Sequence, residues 1–367
     1  QRWFHLYPGE AMDHRHELHW TSREQTWNYQ CAECHSTRLE KHYDLASDSY
    51  ATTFAEINVA CEACHGPASQ HVTWAEQASQ DPALLDQADK GLAVGLADTD
   101  GAVWTIDPKS GLPQRSAPRV QHTQTETCAR CHSRRGQVWD DYEHGKPLGD
   151  THRLSLLEER LYHADGQIKD EVFVHGSFIQ SKMYRAGVTC TDCHDAHSGQ
   201  LHADGNAVCA ACHLPSRYDS EQHHRHEPGT AGAACVSCHM PERVYMVNDW
   251  RADHSLRVPR PDLSATLGTP NACNDCHVDQ GAQWAADALT EWYPNSAHRG
   301  PHYAEALHAA HRNAPGAGEA LASLAADSGQ PGIARATSLD LLRAHATAEH
   351  LALIETLLAD DDALIRA

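Results

Sequence analysis

The chain has 367 residues, enough for two domains, and a formal net charge of -21 at pH 7. Its 50 Asp and Glu residues outnumber 29 Lys and Arg, which argues against a nucleic-acid partner because phosphate binding needs a basic face. No apolar run approaches the roughly 18 to 20 residues of a membrane-spanning helix, and residues 1–20 lack a signal peptide, so we expect a mature or truncated product.

In chain order, the first distinctive element is CAECH at residues 31–35, two cysteines three apart followed by a histidine. The same C-x-x-C-H pattern recurs as CEACH at 61–65, CARCH at 128–132, CTDCH at 190–194, CAACH at 209–213, CVSCH at 235–239 and CNDCH at 273–277. These seven copies contain all 14 cysteines of the chain.

Two long intervals separate the second, third and fourth copies. Residues 80–119 are rich in Gly, Pro and Asp and predict a surface excursion with a short hairpin around residues 102–106. Residues 154–167 (LSLLEERLYHADGQ) predict a helix that ends in a turn, and residues 171–178 (EVFVHGSF) predict a strand. The four copies from residue 190 onward are closely spaced and predict a tight group.

From residue 281 the chain has no cysteine and becomes rich in Ala and Leu with helical period. LAADSGQPGIARA at 324–336 resembles LLADDDALIRA at 357–367, which predicts paired-helix repeats of HEAT or tetratricopeptide type, with further repeats beyond this chain. An ordinary helical bundle is the alternative. We therefore predict a mainly α protein with many loops, in which a haem-packed domain (1–280) precedes a helical repeat segment (281–367).

The C-x-x-C-H pattern is the attachment signature of c-type haem. Two thiols bond the vinyl groups of the porphyrin, and the adjacent imidazole binds iron as the proximal ligand. Disulfides, zinc knuckles and a redox dithiol explain neither the histidine nor the repetition. The sequence thus predicts seven haem c groups with iron, attached at Cys31, Cys34, Cys61, Cys64, Cys128, Cys131, Cys190, Cys193, Cys209, Cys212, Cys235, Cys238, Cys273 and Cys276, with proximal ligands His35, His65, His132, His194, His213, His239 and His277.

The sixth ligands should be histidines as well, since 30 His stand against four Met, and most irons are expected to be bis-histidine with low potentials. His152 competes with two of the candidates between the third and fourth motifs, while His122 and His175 are more remote choices. The distal candidates are His19, His71, His144, His163, His197, His226 and His254.

Several stretches, among them HWTSREQTWNYQCAECHST, GSFIQSKMYRAGVTCTDCHDAHS, CVSCHMPERVYMV and LGTPNACNDCH, resemble multihaem c-type cytochromes that carry C-terminal HEAT-like or tetratricopeptide-like repeats. More distantly, they resemble the tetrahaem and octahaem cytochromes of the hydroxylamine-oxidation group. The resemblance covers about residues 1–295. It implies electron transfer in the periplasm or outside the cell, a further haem motif upstream, and distal roles for His71, His163, His197, His226 and His254.

Electron transfer between extracytoplasmic redox partner proteins, without substrate chemistry, is the function that the uniform motifs and surplus histidines favour. One alternative is a reductase or oxidase of small nitrogen or sulfur compounds at one open haem, near which Arg135, Tyr184, His175 and Lys182 would be the polar groups to inspect. Another is a subunit of an extracellular filament formed by self-association. In each case we expect a periplasmic or cell-surface location, because haem is attached covalently outside the cytoplasm.

Overall fold

The computed structural model describes residues 3–87, 89–97 and 100–367. Residues 1 and 2 of the predicted haem domain, and residues 88, 98 and 99 of the predicted excursion, lie outside this range. The chain divides into two compact units. Unit 1 comprises the described residues up to 100 together with 121–132 and 136–153, and unit 2 comprises 101–120, 133–135 and 154–367. The boundary at residue 280 stays a prediction.

The regular structure is mainly helical, as predicted, and most helices are short because each C-x-x-C-H motif forms about one turn. Within the described part of unit 1 the helices are α1 (Trp27–Gln30), α2 (Ala32–His35), α3 (Cys61–His65), α4 (Ser69–Ala78) and α5 (Thr123–His132). Those of unit 2 up to the last motif are α6 (His175–Phe178), α7 (Lys182–Ala186), α8 (Asn206–Ala210), α9 (Pro215–Tyr218), α10 (Glu221–His224), α11 (Cys235–His239), α12 (Pro261–Leu267) and α13 (Cys273–Cys276).

The cysteine-free C-terminal part forms helices along its length, as its helical period predicts. They are α14 (Ala282–Trp292), α15 (Tyr303–His311), α16 (Ala317–Ala326), α17 (Gly332–Leu342), α18 (Leu351–Leu357) and α19 (Ala363–Arg366). The helices agree with the periodicity, whereas their organisation as HEAT-like repeats stays a prediction.

Among the described residues, the strands are short and pair two by two instead of forming an extended sheet. They are β1 (Ser36–Thr37), β2 (Tyr43–Asp44), β3 (Ser49–Tyr50), β4 (Glu56–Ile57), β5 (Trp104–Ile106), β6 (Pro113–Arg115), β7 (Arg135–Gln137), β8 (His152–Leu154), β9 (Glu242–Tyr245) and β10 (Asp249–Ala252). The hairpin predicted near residues 102–106 is present as β5 paired antiparallel with β6, with Thr105 opposite Gln114. Its turn lies on the segment after the fifth motif, where Leu214 N donates to Gly111 O.

The helix predicted from residue 154 and the strand predicted at residues 171–178 are wrong, whereas the predicted turn is present at residues 163–166. Residues 155–167 form turns instead of a helix, and residues 175–178 form α6 instead of a strand. Tertiary contacts override local preference here, because Leu157 and Tyr162 are buried in the main apolar cluster and Leu157 N donates to Thr337 Oγ1 across 180 residues.

The apolar core lies almost wholly in unit 2. Its main cluster joins residues 157–179 and Tyr245 to α15, α16 and α17, with Leu307 and Leu321 fully buried. A smaller cluster joins Ala325 and Ala336 to Leu357 and Ile365. Among the described residues, no helix is long and apolar enough to cross a bilayer.

Candidate haem centres

Each C-x-x-C-H motif is organised by one turn of helix. Residues i, i+3 and i+4 share a helix face, so the two thiols and the imidazole point to the same side. The closing backbone bond is present in several motifs: His35 N donates to Cys31 O at 3.1 Å, His213 N to Cys209 O at 2.9 Å and His277 N to Cys273 O at 2.9 Å. No disulfide joins any of the 14 cysteines, all of which lie within the described residues.

Three of the predicted proximal histidines in unit 2 each face a second histidine. The ring centres of His194 and His254 are 6.4 Å apart, those of His239 and His223 are 6.1 Å apart, and those of His277 and His226 are 6.2 Å apart. Two metal–nitrogen bonds of about 2 Å, with about 1 Å more from each nitrogen to its ring centre, place axial imidazoles about 6 Å apart. Each pair therefore fits the two axial positions of one iron.

Hydrogen bonds orient these rings for ligation. His254 Nδ1 lies 2.9 Å from Ala252 O, His239 Nδ1 lies 2.7 Å from Arg257 O, and His226 Nδ1 contacts the backbone oxygen of His224. A carbonyl can only accept, so Nδ1 carries the proton and Nε2 presents its lone pair to the metal.

The electrostatics also suit neutral imidazole, which is the form that binds metal. Burial, and next the neighbouring His239, lower the pKa of His223 to about 4. Burial likewise lowers the pKa of His239 and that of His213.

His213 has a different neighbour. The ring centres of His213 and Tyr218 are 5.7 Å apart, and the angle between the ring planes is 83°. The Tyr218 hydroxyl donates to Ser110 O at 2.7 Å. Within the described ranges, no second histidine ring lies opposite His213 at the separation found for the other three proximal histidines of unit 2.

The four motifs of unit 2 adjoin one another in sequence order. Burial raises the pKa of Cys193, and the next motif contributes to this effect through Cys212. The thiols of Cys209 and Cys235 hydrogen-bond, which lowers the pKa of the first and raises that of the second. Burial, followed by proximity to Cys273, raises the pKa of Cys238 to about 11. The attachment points of neighbouring motifs are thus side by side.

In unit 1 the first and third motifs are joined through α2 and α5. Cys34 Sγ lies 4.0 Å from Cys131 O, and Arg130 Nε lies 3.5 Å from Glu33 Oε1. The second motif adjoins the third at Cys64. Burial raises the pKa of the Cys64 thiol, and the nearby Cys128 thiol of the third motif raises it further.

Two distal candidates of unit 1 are placed beside motifs. His71 lies on α4, six residues after His65, with its Nδ1 2.8 Å from Lys90 O and its ring stacked on Trp74. His144 packs against Gly66, and its buried Nε2 has no hydrogen-bond partner within the described residues. Both retain an Nε2 that could bind iron, and their distal roles stay predictions.

The other candidates are less clearly placed. His19 makes a local contact with Thr21 Oγ1 at 2.8 Å, and His197 is exposed. His163 lies in a turn closed by Gly166, and burial lowers its pKa. His152 is buried with Thr151 at Nδ1 and Glu33 at Nε2, so both nitrogens are occupied by protein.

Sequence reasoning missed His223, which faces His239. The segment HHRHEPG offered three histidines, and periodicity does not distinguish them. His226 comes after α10 and faces the seventh motif, whereas His223 is on α10 and faces the sixth. The sequence signal that could have identified His223 is that several histidines precede two successive motifs, so that each motif can pair with a different histidine.

Two family models match stretches of the chain that contain C-x-x-C-H motifs. Residues 5–66, which contain the first two motifs, match the family described as cytochrome c554 and c-prime, and residues 182–217, which contain the fourth and fifth, match the doubled CXXCH motif. The chain is a multihaem c-type cytochrome. Its cofactor is haem c, and the thiol and imidazole sets above fit that group.

Among solved structures, this cytochrome is similar to the outer cell wall cytochrome OcwA, with 18% identity over 87% of this chain and 75% of that chain and a TM-score of 0.47. The search of curated proteins found no match.

Proposed function

We propose that this cytochrome carries electrons through seven covalently attached c-type haems, most of them held by two histidines, between redox partners outside the cytoplasm. The observation that carries the proposal is the set of three histidine pairs in unit 2, spaced to fill both axial positions of an iron. An iron with two protein ligands exchanges electrons without binding a substrate.

The roles of the residues follow from their positions. The 14 cysteines would hold the porphyrins by thioether bonds, the seven motif histidines would each supply one iron ligand, and His223, His226 and His254 would each supply a second. Haem c, when bound, supplies a one-electron ferric/ferrous couple. Carbonyl oxygens of residues 224, 252 and 257 orient three of the imidazoles.

The order of the motifs supports a conducting path. The fourth, fifth, sixth and seventh motifs adjoin in sequence order, which supports an arrangement of four porphyrins as consecutive neighbours in unit 2. In unit 1 the third motif adjoins both the first and the second. The extracytoplasmic location, the redox partners and association into a filament remain proposals drawn from the haem chemistry.

A haem count and electron paramagnetic resonance of the oxidised protein test this function. We expect seven haem c per chain by pyridine haemochrome and a dominant low-spin signal. In the H223A variant, one iron should become high-spin, because His239 then lacks its partner. The control H202A removes an exposed histidine whose Nε2 contacts Thr191 O at 2.9 Å and should leave the spectrum unchanged. A mainly high-spin wild-type spectrum would refute the proposal.

A second candidate function, small-molecule chemistry at one open iron, is favoured by the surroundings of His213. Here a tyrosine rather than a histidine accompanies the proximal ring. The candidate requires a high-spin fraction near one in seven in the wild-type protein, together with turnover of nitrite, hydroxylamine or tetrathionate above the rate of free haem. Absence of both results would leave electron transfer alone.

A further inference from the structure

A buried ion pair joins two haem-attachment segments in unit 1. Glu33 is the residue before the second cysteine of the first motif, and Arg130 occupies the same place in the third. Glu33 and Arg130 are 5% and 9% exposed, and Arg130 Nε lies 3.5 Å from Glu33 Oε1. The pair therefore connects the attachment sites of two haems away from solvent.

The pair is held in place from both sides. His152 Nε2 donates to Glu33 Oε1 at 2.6 Å, and the Arg130 guanidinium lies 4.4 Å from the centre of the Tyr142 ring. His152 is itself fixed by Thr151 Oγ1 at 2.8 Å from its Nδ1. Both charged groups thus have defined positions relative to the two motifs.

A charge near a haem iron changes the reduction potential of that haem. Glu33 is two residues from His35, and Arg130 is two residues from His132, so each Cα lies within about 7 Å of that of the proximal ligand. An anion stabilises the ferric state and lowers the potential, whereas a cation stabilises the ferrous state and raises it. Burial strengthens both effects because water does not screen them.

The seventh motif supplies a natural comparison. Asp275 occupies the same motif position as Glu33 and pairs with Arg243 at 2.8 Å. The Asp275 and Arg243 side chains are 42% and 26% exposed, against 3% and 11% for Glu33 and Arg130. The chemistry of the pair is the same, but solvent screens it.

We propose that the Glu33–Arg130 pair sets the relative potentials of two haems, lowering that of the haem at residues 31–35 and raising that of the haem at 128–132. The pair then favours electron movement from the first-motif site to the third-motif site. This inference rests on the proposed electron-transfer function and identifies Glu33 and Arg130 as positioning residues that act through charge.

A redox titration of the holoprotein, followed by optical and paramagnetic resonance spectra, tests the inference. Glu33→Gln keeps the shape and a carbonyl acceptor for His152 but removes the charge. We expect the reduction potential of the haem at residues 31–35, the lowest-potential component of unit 1, to rise. At a fixed applied potential, the ferric/ferrous ratio of this component should change at least tenfold, which corresponds to 59 mV for one electron.

Two control variants separate charge from packing. Glu33→Asp retains the carboxylate and should shift the ratio less than threefold. Asp275→Asn removes the screened charge and should also shift it less than threefold. If E33Q fails to accumulate with its full haem complement, R130Q becomes the test. In R130Q the reduction potential of the haem at residues 128–132 should fall, with at least a tenfold change in its ferric/ferrous ratio.

The inference is overturned if E33Q, with seven haems attached, moves no component further than D275N does, or if E33D shifts the curve as much as E33Q. Either result leaves the proposed function intact, because that function is judged by the low-spin spectrum of the wild-type protein. A high-spin wild-type spectrum would instead remove the function while the potential shift could still be measured.

Discussion

The helices α15 to α17 of unit 2 bury Leu307, Leu321, Ile333 and Leu342, each at most 1% exposed. In the described part of unit 1, the buried apolar residues are Ala32, Ala78, Val94, Ala129 and Leu148, while Glu33, Arg130 and His152 are buried beside them. The first region has an ordinary aliphatic core. The second has small apolar side chains and ionisable groups inside, so we expect covalently attached porphyrin to supply most of its apolar interior.

The sharpest test of this contrast is removal of haem. In protein produced without haem attachment, we expect unit 1 to be unfolded. The free energy that unit 1 gains from burying apolar side chains does not offset the entropy cost of ordering its backbone, about 1 to 2 kcal/mol per residue. Trypsin should cut quickly at exposed Arg38, whereas cleavage at Arg335, 7% exposed and bonded to Ala325 O, should be slow.

The matched control for this digestion is the holoprotein, in which both sites should resist. Equal resistance of Arg38 in the haem-free and haem-loaded chains would show that unit 1 has enough core of its own. Equal sensitivity of Arg335 and Arg38 in the haem-free chain would show that the C-terminal helices also depend on haem.

A cavity in the aliphatic core should have a smaller effect, confined to the C-terminal helices. Leu321→Ala empties a fully buried site on α16 and should cost about 2 to 5 kcal/mol. Leu351→Ala, at a position 57% exposed, should change stability by less than about 0.5 kcal/mol. Urea unfolding followed by amide circular dichroism measures both, and the haem absorption spectrum should be unchanged in each. Loss of haem absorption in L321A would contradict the separation of the two kinds of core.

The same contrast explains which features could be predicted from sequence. The C-x-x-C-H spacing determines thiol and imidazole positions within one helical turn, so the attachment residues are readable without tertiary information. The C-terminal helices are equally readable because their apolar residues repeat with helical period. Residues 154–178 were mispredicted because Leu157 and Tyr162 are fixed by distant partners, including Thr337, and local preference has little weight there.

Distal ligands and charge placement depend on contacts that the sequence does not display. His223 and His226 are three residues apart, yet they face His239 and His277 respectively. In the sequence, Glu33 and Arg130 are simply the residues before the second cysteine of their motifs. The packing of α2 against α5 shows that they pair. Fixed local geometry is therefore predictable here, whereas pairings across long sequence separations are not.

The smallest predicted effect concerns an ion pair in the C-terminal helices. The backbone N–H of Asp362, and then the Arg335 side chain at 2.7 Å, hold the pKa of Asp360 below its ordinary value, against the opposing effect of burial. A depressed carboxyl pKa contributes stability above the unfolded value of about 4, and that contribution is lost as the pH falls through the folded value. Thermal unfolding of D360N should therefore differ from wild type near pH 6, and the difference should shrink toward about pH 3. The control D361N changes an exposed neighbour, and a pH-independent difference for D360N would mean that Asp360 acts through packing instead of charge.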